Sequence, residues 1–247
     1  MGFADHFSTQ AADYARFRPT YPETLFAQVA ALAPARGVVW DCATGNGQAA
    51  LALAAHFDRV LATDGAAAQL ANAAPHPRVT YALGTAEASG LADASVDAIT
   101  VAQAAHWFDL PRFEAECRRV GRPGAPVILW GYTFAHITPA VDAALAPLLA
   151  DVESFWPPGR DRLDAGYEHL VWDLPPVAFP ATAMTACWSV EAFLGYLRTW
   201  SSVVAHQRGT GVDAVARYTP GLRAAWGEGT RTVTWPLTQK AGRIPLI

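Results

Sequence analysis

Apolar residues in this chain come in short runs, each closed by an acid, a glycine or a small polar residue. Val38-Val39-Trp40 runs into Asp41, Val60-Leu61-Ala62 into Asp64, and Val79 to Leu83 into Gly84. Val96 to Ala102 and Pro126 to Tyr132 complete the set. Runs of this length between turn signals predict buried strands. Helix-spaced segments lie between them. Leu25, Val29 and Leu32 lead up to Pro34, and Gln48 to about Phe57 forms a second segment. An alanine-rich helix reaches Ala74 before Pro75-His76-Pro77, and another covers Leu110 to Val120. Such alternation predicts a parallel sheet with helices on both faces.

After Tyr132 the rhythm breaks. Thr138 to Asp151 is predicted helical, with Pro147 arguing for a kink or two short helices. Phe155 to Arg160 reads as loop, Val177 to Phe179 and the residues before Trp188 as extended. Ser189 caps a helix through about Ala205, and Arg231 to Leu237 forms a late strand. With no internal repeat or flexible linker, the expectation is a single domain. Residues 1–34 form an N-terminal lid, 35–135 the core, 136–205 a substrate-side insert and 206–247 the end of the sheet.

The stretch from Asp41 to Ala50 carries the first chemical signal. Strand, tight loop and helix start follow in order, and Gly45 and Gly47 let a ligand approach the backbone closely. Gly45-x-Gly47-x-x-Ala50 satisfies a dinucleotide fingerprint, so NAD is one candidate ligand. Asp41 favours another. A carboxylate at the strand end opposes a pyrophosphate, but it suits the ammonium and sulfonium of S-adenosylmethionine (SAM). Asp64, seventeen residues after Gly47, lies close to the interval of about 20 residues at which an acid meets ribose hydroxyls in such folds.

Composition narrows the classes. With 52% hydrophobic and 16% charged residues, the 247-residue chain predicts a filled interior rather than disorder. A net charge of −4, with Lys240 the only lysine, gives no footprint for nucleic acid. Cys42, Cys117 and Cys187 lack metal-ligand spacing, so neither a disulfide framework nor a metal site is expected. Cys42 reads as a small buried residue. No signal peptide or membrane-length apolar run is present, and the expected location is the cytoplasm.

Four motifs together resemble the class I SAM-dependent methyltransferases, in the small-molecule branch that includes trans-aconitate methyltransferase-like proteins. They are Tyr14-x-x-x-Arg18-Pro19-x-Tyr21-Pro22, Trp40-Asp41-x-x-Thr44-Gly45-Asn46-Gly47, Ala62-Thr63-Asp64 and Val101-Ala102-Gln103-Ala104-x-His106-Trp107-Phe108-Asp109. The resemblance covers nearly the whole chain. It implies a Rossmann-like, mostly parallel sheet of seven strands, the last one antiparallel. It implies SAM as cofactor and S-adenosylhomocysteine as product. Asp41, Gly45 and Gly47 then frame the methionine end, and Asp64 with Gly65 meets the ribose. Ala86 and Glu87 lie beside the adenine, and Gln103 sits under the sulfonium. Ala43 departs from the pattern, which has a glycine there; a β-like backbone is expected to keep the loop shape.

The remaining candidates follow from position. His106 lies past the end of a strand, where open sheets place their ligands, and serves as general base or as a positioning group. Trp107, Trp130 and Tyr132 form an expected aromatic wall, with core packing the alternative for Trp130. Tyr14 and Arg18 belong to a lid reaching the cofactor's carboxylate, with Tyr21 on its substrate side. Trp156, Arg160, Arg162, Trp200 and Arg208 are further substrate-side candidates. The expected partner is a small, planar or anionic metabolite methylated on O or N, or on S, by a monomer or homodimer. An NAD(P)-dependent oxidoreductase and a non-catalytic SAM-binding protein are the alternatives.

Overall fold

Strand and helix signals resolve into alternating elements in the computed structural model, which describes residues 19–167 and 170–246. The chain divides into two compact units. The larger holds Tyr21–Thr133, Asp161–Thr182 and the residues from Leu237 onward; the described part of the smaller holds mainly Phe134–Arg160 and Ala183–Pro236.

In the larger unit the elements are α1 (Glu23–Leu32), β1 (Val38–Cys42), α2 (Gln48–Leu53), β2 (Arg59–Asp64) and α3 (Ala67–Leu70). They continue through β3 (Val79–Leu83), β4 (Ala98–Ala102), α4 (Leu110–Val120) and β5 (Pro126–Tyr132). β1 to β5 are parallel. The smaller unit adds α5 (Pro139–Val152), β6 (Ala183–Ser189), α7 (Val190–Arg198), α8 (Ser201–Thr210) and α9 (Ala214–Trp226), while α6 (Arg160–Asp164) and β7 (Thr230–Arg243) span both units in sequence. The strand order is β3-β2-β1-β4-β5-β7-β6, with β7 antiparallel to both neighbours. That is the seven-stranded, mostly parallel arrangement implied by the sequence.

Burial follows periodicity. Phe113, Glu116, Cys117 and Val120 turn one stripe of α4 inward against Trp40, Val101 and Leu129. Fully burying each Val, Leu or Phe contributes roughly 1.5–3 kcal/mol. Asp109 caps α4 by accepting from the Arg112 N–H at 3.3 Å. Arg118 and Arg119 sit in its last turn, where cations meet the helix dipole favourably. Glu116 is buried but fully paired: Arg119 binds it at 2.7 Å, and the Ser89 N–H donates to it at 2.8 Å. Every residue of β5 is buried, as a strand covered on both faces requires.

Several expectations fail locally. The helix through Pro147 is continuous, because Pro147 and Ala143 are exposed and the carbonyl that loses its partner faces water. The alanine-rich segment before Pro75 yields only the four-residue α3; it buries nothing, and alanines alone give it no apolar face to dock. Ser189 does cap a helix, accepting from the Ala192 N–H at 3.3 Å, but α7 stops at Arg198 and α8 begins at Ser201. Residues 206–247 are not all sheet. They include α9, capped by Asp213, whose internal Pro220 and Gly221 disguise it. The late strand is also longer than expected, running on through Arg243. Among the described residues no helix is long and apolar enough to cross a membrane, and no cluster of three metal-ligating side chains occurs.

Candidate active site

In the larger unit, β1 delivers the chain into the glycine loop. Ala43 has φ +54°, Gly45 +59° and Gly47 +85°. Ala43 is therefore left-handed, not β-like as the sequence suggested. An alanine held there costs on the order of 1–2 kcal/mol. Gly47 has two reasons to be glycine: its φ, and a Cβ that would lie 2.4 Å from the Tyr81 hydroxyl. At Gly45 the nearest atom to such a Cβ is the Gln69 Oε1 at 4.0 Å, so the loop's crest is open.

Asp64 locks this crest. Its Oδ2 accepts from the Gly45 N–H and its Oδ1 from the Ala66 N–H, both at 2.8 Å. Each oxygen keeps a further lone pair. Gly65 follows it, exposed at the end of β2.

Asp41 behaves differently from the expectation. Register places Tyr81, Ala62, Asp41 and Thr100 in one row across β3, β2, β1 and β4, so their side chains share a face. Asp41 is wholly buried, taking hydrogen bonds from the Thr44 hydroxyl at 2.5 Å and the Thr100 hydroxyl at 2.9 Å. Burial pushes its pKa up to about 6 against the opposing pull of those two hydroxyls. The carboxyl braces the loop from beneath and exposes no surface to a ligand. Thr44 and Thr100, which hold the Asp41 carboxyl, and Tyr81, which stands against Gly47, were given no individual role by the sequence reading.

Gln103 is tied by its side chain to the end of β5. It is left-handed, with φ +56°. Its Oε1 accepts from the Tyr132 N–H at 2.7 Å, and its Nε2 donates to the Tyr132 carbonyl at 2.9 Å. The side-chain amide thus acts as a surrogate strand for the last residue of β5.

Beyond Gln103, His106 and Trp107 lie in a 3-10 turn, Ala105–Trp107, with ring centroids 4.8 Å apart. His106 is buried, whereas Trp107 is 41% exposed. The Arg162 guanidinium reaches the His106 carbonyl at 3.4 Å. Ala86 is buried in the core cluster. Glu87 accepts from the Asp109 N–H at 3.1 Å.

The expected aromatic wall does not form as one surface. Trp130 has no exposure and packs edge-on against Tyr21 and Phe26, at 5.8 and 6.1 Å between centroids. It is an interior residue, because β5 is covered on both faces. Tyr132 also meets Tyr21, at 6.4 Å. Tyr14 and Arg18 lie outside the described residues.

In the smaller unit, Trp156, Arg160 and Trp200 come together and gain Phe134, which the sequence had not singled out. The Trp156 and Trp200 rings are 5.7 Å apart, and Arg160 lies 4.4 Å above the Trp156 ring. Arg208 is exposed at the end of α8.

The Methyltransferase domain family matches residues 40–129, the segment containing the glycine loop, Asp64 and His106. A protein of Dictyostelium discoideum named as a methyltransferase is 32% identical over 208 residues, covering 82% of this chain and 79% of its own length. An uncharacterised methyltransferase of Mycobacterium tuberculosis is 36% identical over 126 residues, 50% of this chain and 51% of that protein. A solved structure from Anaeromyxobacter dehalogenans, described as a type II methyltransferase, aligns with a TM-score of 0.88 at 48% identity. It covers 94% of this chain and 100% of that one.

Proposed function

This chain belongs to the class I SAM-dependent methyltransferases, and on that premise we propose that it methylates an O or N atom, or S, of a small molecule. The branch we assign is the one that includes trans-aconitate methyltransferase-like proteins. The observation that carries the reading is the crest at Gly45: left-handed, open where a side chain would stand, and tied to Asp64. Backbone and carboxylate there fit the ribose and methionine parts of the cofactor.

Bound at this crest, SAM supplies a methyl group already activated by its sulfonium, so the protein's main task is alignment. Well-oriented reactants gain about 7–11 kcal/mol over reaction in solution. Asp64 accepts the ribose hydroxyls with the lone pairs its two backbone contacts leave over, beside Gly65. Ala86 and Glu87 flank the adenine. Asp41 contributes its charge from below, and Ala43 and Gly47 hold the loop's curvature. Gln103 fixes the end of β5. Tyr14 and Arg18 are assigned to the cofactor's carboxylate, and Tyr21 and Tyr132 to the acceptor.

His106 accepts the acceptor's proton where one must leave, and otherwise positions the acceptor; a base here contributes about 10²–10⁴-fold. Trp107, with its exposed ring, excludes water beside it. A net charge of −4 supports a small metabolite over nucleic acid, and we place the enzyme in the cytoplasm as a monomer or homodimer.

Calorimetric titration tests the reading. S-adenosylhomocysteine should bind and NADH should not, and with SAM as the methyl donor S-adenosylhomocysteine formation should then be followed across a panel of small acceptors. NADH binding without any response to S-adenosylhomocysteine overturns it.

A further inference from the structure

We propose that the outer edge of β3 is an interaction surface whose partner is β3 of a second copy of this chain. The two strands join antiparallel about a two-fold axis and make one continuous sheet. The inference stands apart from the methyl-transfer reading and needs no cofactor.

β3 lies at the margin of the sheet and pairs on one side only, with β2. The bonds at its two ends set the direction of the backbone groups between them. The Val60 N–H donates to the Arg78 carbonyl at 2.8 Å, and the Gly84 N–H donates to the Asp64 carbonyl at 3.2 Å. Arg78, Thr80, Ala82 and Gly84 therefore turn towards β2, because alternate residues of a parallel strand bond to opposite sides. Val79, Tyr81 and Leu83 turn their amides and carbonyls outward. Of these outward groups, only the Val79 N–H is bonded to another described residue, the His76 carbonyl at 3.0 Å. The devices that blunt an open edge are missing. β3 holds no charge and no proline, its register with β2 runs unbroken from Val79 to Leu83, and α3 buries nothing. Leu83 is 64% exposed, and Thr80 and Ala82 are exposed as well.

This edge is complementary to itself. With the axis at Tyr81, Tyr81 meets its own copy, Leu83 meets Val79, and Thr80 meets Ala82. The paired tyrosines exchange both of their N–H···O=C bonds, and each Leu83 N–H donates to the Val79 carbonyl of the other copy. Opposed residues of an antiparallel pair keep their side chains on one face, so each exposed Leu83 covers the partly buried Val79 across from it. Charge agrees. From Gly65 to Ala86 the only Asp, Glu, Lys or Arg is Arg78, which comes level with Gly84 of the other copy, so no like charges are opposed. One patch meeting itself is the two-fold contact of most homodimers. That self-match decides for a second copy over a foreign strand, which the same amides could accept. So short an edge makes a small interface, and half-association falls at roughly 1–100 µM chain.

Sedimentation velocity and amide hydrogen exchange on the full chain, without SAM, test the proposal across that concentration range. The mass should rise from 26.4 kDa towards twice that value. The Tyr81 and Leu83 amides should gain about tenfold or more in protection as it does. Leu83→Pro removes an outward N–H that β2 does not use, and Leu83→Lys sets a charge against an apolar partner. Each should weaken association about tenfold or more. Val171→Lys, at an exposed apolar residue outside β3, should associate as the unaltered chain does. A single-chain mass at the highest concentration overturns the proposal. So does a dimer whose Tyr81 and Leu83 amides exchange as in the monomer, unchanged association of either Leu83 variant, or an equal loss in Val171→Lys. The exchange measurement on the unaltered protein stands even if a variant misfolds.

Discussion

Ala43 holds a left-handed conformation that glycine adopts without penalty. Ala43→Gly should therefore raise stability by about 1 kcal/mol, offset in part by the greater freedom glycine gains when unfolded. Urea denaturation at neutral pH measures it, and a destabilised variant would mean that the alanine methyl contributes packing. His106 makes a different kind of prediction, because it lies in the 3-10 turn after β4, whereas the glycine loop follows β1 and Asp64 ends β2. His106→Ala should leave S-adenosylhomocysteine affinity within about threefold while lowering turnover by about 10²-fold or more. Loss of binding would place the residue at the cofactor instead.

Residue identity alone could not reveal how Asp41 is used. The acid was visible beside the glycines, but its Thr100 and Tyr81 neighbours come from β4 and β3, and only strand register sets them in its row.

At the scale of elements, β5 ends under the control of one side chain. Gln103 satisfies both backbone groups of Tyr132, and removing it leaves two polar groups seeking partners at a cost of about 1–3 kcal/mol each. Gln103→Ala should lower stability by about 2–4 kcal/mol, visible as a drop in Tm. Gln103→Gly should lose less, because glycine is relaxed at φ +56°. If the two variants are equally stable, backbone strain at this position contributes nothing.

Elements with clean periodicity were legible from the sequence. β3, α4 and β5 match their expected ends, since apolar runs with caps or prolines at their borders leave few alternatives. The stretches after Tyr132 were less so. There helices contain Pro147 or Pro220, which exposed positions tolerate, and alternation no longer marks what packs on what. The acceptor candidates Trp156, Arg160 and Trp200 could be picked out by type, but Phe134 joins them through folding alone.

For the molecule as a whole, pH acts through two buried carboxyls of opposite sense. The folded pKa of Asp41, about 6, exceeds its ordinary value of 3.8 because burial disfavours the charge. Its favourable contribution is complete below about 3.8 and is lost as pH rises through about 6. Glu116 is held near 2, below its ordinary 4.5, chiefly by Arg119 and further by Ser89; its contribution is present above 4.5 and lost as pH falls through about 2. From the Asp41 shift, Asp41→Asn should remove about 2 kcal/mol of the stability difference between pH 4 and pH 8. Denaturation curves for both proteins at those two pH values give the comparison, and parallel pH profiles would refute the assignment.

β7 has one more consequence, and it concerns synthesis. β5 is flanked on one side by β4 and on the other only by the last part of β7, where Tyr132 meets Leu237 and Pro126 meets Arg243. While the ribosome is still translating the intervening segment, the most apolar strand of the sheet has a bare margin of unpaired amides and carbonyls. Such margins invite pairing with other nascent chains. Chaperone dependence should therefore persist until the Leu237–Arg243 part of β7 has left the exit tunnel and paired with β5.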